Sequence, residues 1–263
     1  SCILEHMAGA LLCDWATCGE QVRSMLVGAL DGSTGQPAVA GAALGALTAL
    51  LRVAAEQEKL MTGKAERQQC KAIAASLAPA LPAALSSLES ALGAADAGRV
   101  VATLDALVQM ADSQPRVFRP VLPKLLQGVC ALASADSWLP VEGRLSCAEL
   151  LLTLAEGAPK LCGAPVLGYA GATLSLLLSM LIRLSNDALD EWAEAAPADG
   201  IDDAADDDEE EREASYAREG IERLCDALGG DSVAASLLPR LGAMLGDAAW
   251  QPQHAALVAV AQV

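Results

Sequence analysis

Apolar residues along this chain recur every three or four positions, and that spacing predicts helix after helix. The predicted helices cover residues 21–30, 37–55, 64–90, 96–111, 117–133, 141–156, 165–184, 213–228 and 233–246, with one more from 252 onward. Pro79 and Pro82 fall inside the third and predict a kink or break there, because proline lacks the N–H that continues the ladder. Turn signals separate the elements: DGSTG after residue 30, SADSWLP before 141, Gly229-Gly230 after 228 and DAAWQP before 252. No run of alternating β-branched residues suggests a strand. The chain is therefore expected to be all-α.

The helices group into antiparallel pairs whose second members begin near residues 37, 95, 140, 213 and 252. The last three spacings are 140 − 95 = 45, 213 − 140 = 73 and 252 − 213 = 39. Residues 187–213 hold fourteen Asp or Glu against one basic residue, Arg212, and so carry a charge of −13 out of a total of −17. Subtracting those 27 residues from 73 leaves 46, in step with its neighbours. A period of about 40 to 47 residues with two helices per unit is the signature of HEAT or armadillo solenoids. The expectation is a HEAT-repeat α-solenoid of about five to six helix pairs over residues 1–263. An acidic, flexible loop at 187–213 is inserted within one repeat, solvated because burying unpaired carboxylates is costly.

Successive units of such a solenoid share a core and present their second helices side by side as a concave face. On the predicted helix 141–156, Glu142, Glu149 and Glu156 repeat every seven residues, with Ser146 and Thr153 between them. Asp105 and Asp112 repeat the same interval one unit earlier, and Glu219, Glu222 and Asp226 mark the next helix. These stripes point to a partner carrying positive charge. The same holds for the loop acids Asp202, Asp203, Asp206, Asp207, Asp208, Glu209, Glu210 and Glu211.

Composition narrows the classes. Hydrophobic residues make up 53% and aromatics 3%, a Leu- and Ala-rich mass suited to close helix packing. The eight cysteines mostly sit in apolar helical stripes, which fits free thiols in a reducing compartment. Cys2, His6, Cys13 and Cys18 have the residue types of a zinc site but not its paired-ligand spacing, and the acidic run lacks the glycine an EF-hand loop requires, so no metal is expected. The two histidines, His6 and His254, have no nucleophile and orienting acid beside them, and no phosphate-cradling glycine loop follows a strand. No enzymatic activity and no cofactor are expected. A net charge of −17 disfavours direct nucleic-acid binding. Two uncharged stretches, 32–51 and 161–182, are read as buried helices rather than membrane spans because glycine and proline interrupt them. The N-terminus has no signal-peptide pattern, and the chain is read as a fragment of a longer protein.

The segments ATLDALVQMADSQPRVFRPVLPKLL, AELLLTLAEGAP, IERLCDALGGDSVAASLLPRL and DAAWQPQHAALVAV, together with the acidic loop carrying Trp192, resemble the importin-β (karyopherin-β) nuclear import receptors, and within them the importin β-3 branch. The likeness spans residues 77–263 and is most specific at the Leu228-Gly229-Gly230 turn and at Trp250, His254 and Ala255. It implies a receptor that shuttles between cytoplasm and nucleus through the nuclear pore and releases cargo when the Ran GTPase binds in its GTP form. It implies as partners cargo proteins with Lys-rich import signals, held on the acidic concave face, and phenylalanine-glycine nucleoporins, held in grooves between outer helices. A cargo-facing role is carried over to Glu149 and Glu156, where the family also has acids. Gln251, Pro252 and Gln253 depart from the basic and aromatic residues the family tends to have there. The alternative is a static HEAT scaffold subunit outside Ran control, which would not require the acidic loop and stripes.

Overall fold

The computed structural model describes residues 2–31, 36–134, 138–185 and 209–263. Among them every regular element is helical. The α-helices are α1 Cys2–Cys13, α2 Trp15–Leu30, α3 Pro37–Leu60, α4 Lys64–Leu77, α5 Leu81–Gly93, α6 Ala97–Ser113, α7 Leu122–Ala133, α8 Val141–Gly157, α9 Pro159–Cys162, α10 Tyr169–Leu181, α11 Glu209–Leu228, α12 Gly230–Leu245 and α13 Trp250–Gln262.

They form two layers. Helices α3, α6, α8, α11 and α13 lie side by side in sequence order, each packed on the next. The second layer covers them, with α2, α5, α7, α10 and α12 packed respectively on those five, and α4 along α3. Helix α1, which the periodicity argument did not single out, packs on α3. This stacking of antiparallel pairs is the HEAT-repeat α-solenoid that the period implies. Because α10 and α11 form one pair, the segment 186–208 is an insertion within a single repeat.

Local sequence explains most boundaries. Pro79 and Pro82 divide the long helix expected over residues 64–90 into α4, a 3-10 turn at Ala78–Ala80 and α5. Prolines also divide two stretches expected to be continuous. Residues 115–118 form a 3-10 turn ahead of α7, and residues 159–167 form the short α9 and another 3-10 turn ahead of α10. Ala95 takes a left-handed φ of 51° just after α5, with Asp96 N–H donating to the Ala91 carbonyl at 3.1 Å and Ala95 N–H to that of Leu92 at 3.0 Å. That is a Schellman ending. Asp96 then caps α6, its carboxylate accepting the Arg99 N–H at 3.1 Å. Gly229, at φ 88°, makes the turn between α11 and α12 that a side chain would strain.

The core is built from leucine and alanine, with Tyr169 and Phe118 as its largest fully buried side chains. Helix α8 is its axis: every residue from Leu150 to Ala155 is buried, between α6, α11 and α7. The Tyr169 hydroxyl meets its burial requirement by donating to the Leu151 carbonyl at 2.7 Å. Two stretches, Pro37–Leu60 and Lys64–Gly93, are long and apolar enough to cross a membrane, and 56% of each apolar window is buried inside the fold. Seven cysteines are free among the described residues. The side chains of Cys2 and His6 lie outside that description.

One boundary corrects the sequence reading. Glu209, Glu210 and Glu211, assigned to the acidic loop, form the first turn of α11, and Arg212 and Glu213 continue it. Carboxylates in a first turn face the unpaired N–H groups and the positive end of the helix dipole, so they favour starting the helix here. Asp202, Asp203, Asp206, Asp207 and Asp208 lie outside the described residues.

Candidate functional site

The candidate site is the second-helix face where α6, α8 and α11 adjoin. Glu142, Glu149 and Glu156 do share one stripe of α8, but they do not stand alone. Opposite them α11 carries Arg212, Tyr216 and Arg223 at intervals of four and seven, a matching stripe of donors. Arg212 Nη1 lies 3.5 Å from Glu142 Oε1. The Arg223 guanidinium donates to Glu149 through Nη1 at 2.8 Å and Nη2 at 3.2 Å. It donates to Glu156 through Nε at 2.7 Å and Nη2 at 3.2 Å. The Tyr216 hydroxyl also donates to Glu149, as does Thr153 Oγ1 at 3.1 Å.

This bonding sets the protonation behaviour. Partial burial pushes the Glu149 carboxyl up, but hydrogen bonds from Arg223 and Tyr216 outweigh it and hold the pKa below the ordinary value. Arg223 is raised in turn by its bonds to Glu156 and Glu149, and Tyr216 is raised by burial and by its bond to Glu149. All three therefore keep their neutral-pH charge states. Glu219, Glu222 and Asp226 are exposed and unpaired among the described residues. At 100° per residue Glu222 lies opposite the buried side of α11, while Glu219 and Asp226 flank Arg223. The predicted acidic stripes of α8 and α11 are thus both present but separated by a row of arginines.

The stripe continues onto α6, where Asp105 accepts the Ser146 hydroxyl at 2.7 Å. Beside it an open concavity of about 430 Å3 is lined by Asp105, Val108, Gln109, Leu145, Ser146, Glu149 and Tyr216. It combines two carboxylates with apolar walls, a shape able to take the stem and charged head of a basic side chain.

Glu213 is the functional-looking acid that sequence reasoning misjudged. It was counted among loop residues too charged to bury, yet it is 1% exposed. Arg144 makes the difference, donating to both carboxylate oxygens at 2.9 and 2.6 Å and to the Leu139 carbonyl at 2.7 Å. Arg183 approaches the same carboxylate at 3.8 Å and donates to the Ala133 carbonyl at 3.3 Å. A paired and hydrogen-bonded carboxylate tolerates burial that an unpaired one does not. Nearby, the Ser185 N–H donates to Glu210 at 2.7 Å, so the two ends of the insertion meet.

On the opposite layer, an apolar groove of about 390 Å3 runs between α7 and α10, lined by Pro123, Leu126, Gln127, Cys130, Val166, Leu167 and Ala172. Val166 is fully exposed. Burial pushes the Cys130 thiol up to about 11, so it acts as an apolar wall rather than a nucleophile. At the far end, Trp250 and His254 meet edge to face with ring centroids 5.8 Å apart. Among the described residues no cluster of His, Cys, Asp or Glu has the arrangement of a metal site.

Comparison with known proteins gives consistent results. Residues 136–235 match the family model described as "Importin repeat". Importin subunit beta-3 of Saccharomyces cerevisiae is 26% identical over 181 residues, which is 68% of this chain and 16% of that protein. The crystal structure of Kap121p bound to Nup53p superposes with a TM-score of 0.67 at 20% identity, covering 92% of this chain and 25% of that one. Kap121p bound to Pho4p, and bound to the SUMO protease Ulp1p, superpose at 0.66 with the same identity and coverage. The chain thus spans about a sixth of the curated relative and a quarter of the solved chains. The repeat match, the sequence likeness and the shared fold together support reading this chain as a HEAT-repeat segment similar to those of the importin-β (karyopherin-β) receptors.

Proposed function

We propose that this segment serves a nuclear transport receptor by binding basic cargo signals on its acidic second-helix face, under the control of Ran-GTP. The observation that carries the reading is the acidic surface of α8 and α11, with Glu142, Glu149 and Glu156 on one helix and exposed Glu219, Glu222 and Asp226 on the next. Adjacent second helices lie in parallel, so an extended Lys-rich peptide crossing them meets one carboxylate group after another. Exposed ion pairs contribute only about 0.2 to 1 kcal/mol each, so affinity must come from several and fall with salt. The acids at 202, 203 and 206–208, together with Glu209, Glu210 and Glu211, are assigned by their charge to contacts with Ran or cargo. The groove between α7 and α10 is proposed to take phenylalanine side chains of nucleoporins, since its walls are apolar and open to solvent. The named relative bound to Nup53p supports that assignment by analogy. Shuttling between cytoplasm and nucleus follows from this reading.

The test is fluorescence-anisotropy titration of a labelled Lys-rich import peptide against the parent chain and the triple variant Glu219→Gln, Glu222→Gln, Asp226→Asn. The variant should bind several-fold more weakly with a shallower salt dependence, and Ran-GTP but not Ran-GDP should compete with the peptide. Equal binding by the variant, with no effect of Ran-GTP, would leave a static scaffold as the better description.

A further inference from the structure

The Glu149–Glu156 subsite already holds a cation, and that cation is part of the same chain. Arg223 makes four N–H···O contacts of 2.7 to 3.2 Å to the two carboxylates, filling the positions that any incoming basic residue would use. It reaches across from α11, as an external ligand lying over α8 would. Building on the cargo-binding role proposed above, we propose that Arg223 is an intramolecular occupant of this subsite, so that a basic ligand engages Glu149 and Glu156 only by displacing it.

Three features make Arg223 exchangeable rather than structural. The first is exposure: its side chain is 24% exposed, with Glu149 at 34% and Glu156 at 41%, whereas the Arg144–Glu213 pair is at 12% and 2%. The second is that Glu149 stays oriented without Arg223, because Tyr216 and Thr153 donate to it independently. The third is a landing place for the displaced guanidinium. Glu219 and Asp226, four residues before and three after Arg223 on its own helix, are exposed and unpaired among the described residues, so release does not strand a charge. The concavity beside Glu149 provides the approach.

The geometry also sets a selectivity. A guanidinium meets both carboxylates with a planar fork, which a single ammonium cannot match. One isolated lysine therefore competes poorly. A segment with several basic residues, or with an arginine, supplies the contacts to replace it. Weakly basic segments are excluded by a contact the protein makes with itself. Because Arg223 joins α8 to α11, the same displacement loosens the bond between neighbouring repeats.

The test measures binding of the labelled Lys-rich peptide at physiological salt to the parent, Arg223→Gln, Arg223→Lys and Arg218→Gln. Arg218 is exposed and makes no bond to α8, so its variant reproduces the charge change alone. Arg223→Gln should bind roughly tenfold tighter, as expected for losing a charge-assisted bidentate competitor, and Arg218→Gln within about twofold of the parent. Arg223→Lys, with no change in charge, should fall between parent and Arg223→Gln. Circular dichroism checks that all variants stay helical. If the parent binds and Arg223→Gln binds no better than Arg218→Gln, or Arg223→Lys matches the parent, the displacement idea is wrong while the cargo reading survives. If no variant binds, both fall.

Discussion

Individual carboxylates in this protein differ by what stands opposite them. Glu213 is nearly inaccessible and held by Arg144, so Glu213→Gln leaves a guanidinium without its counter-charge in a mostly buried place. Breaking such a pair costs about 3 to 5 kcal/mol, and thermal unfolding of the variant should shift down by roughly 6 °C or more. Glu149 makes a smaller, pH-dependent contribution. Its folded pKa lies below the ordinary 4.5, so its stabilisation is complete above that value and is lost as pH falls through the folded pKa. His254 acts earlier: burial lowers it from 6.5, so the unfolded chain takes up the proton first and stability declines as pH drops below 6.5. Melting temperatures measured from pH 8 to 3 should fall in these two stages. Glu149→Gln should flatten the second, and His254→Gln the first.

At the level of the helix, ends matter as much as faces. Ala95 closes α5 in a left-handed conformation that costs an L-residue with a Cβ roughly 1 to 2 kcal/mol. Glycine carries no such penalty. Ala95→Gly should therefore stabilise the chain by about 1 kcal/mol net of its unfolded-state entropy, seen as a melting temperature raised by a few degrees. Gly229 marks the same logic already satisfied, at the turn that lets α12 fold back over α11. Close approach governs the other side of α11, where a Cβ on Gly220 would stand 2.8 Å from Leu177 Cδ2 and 3.2 Å from Leu152 Cδ1. The absent side chain lets α11 sit against both α10 and α8, bringing Arg212 and Arg223 within reach of the α8 acids.

For the molecule as a whole, negative charge is concentrated in the sequence between α10 and α11. Ser185 and Glu210 are hydrogen-bonded, so a short Gly-Ser linker can replace residues 188–206. Ten acids and no bases occupy 187–208, a composition that buries little surface. The melting temperature of that deletion should stay within about 2 °C of the parent. Extending the deletion through residue 213 removes Glu213 and the first turn of α11, and unfolding should then shift down by several degrees. Equal effects of the two deletions would contradict the division between insertion and helix at residue 209.

The linear chain determined the helical class, the pairing period and the placement of an acidic insertion inside one repeat, because these depend on spacing along one strand of sequence. It also contained, unread, two stripes of opposite character on helices of consecutive units: Glu142, Glu149 and Glu156 at intervals of seven, and Arg212, Tyr216 and Arg223 at intervals of four and seven. The pairing itself was decided only by tertiary structure. Arg223 lies 74 residues from Glu149, and Arg144 lies 69 from Glu213, so no local rule connects them. Whether a carboxylate is a free ligand for a partner, a half-occupied site or a buried anchor depends on the donor that packing brings within about 3 Å, since charge–charge interaction and desolvation are both set by distance and burial.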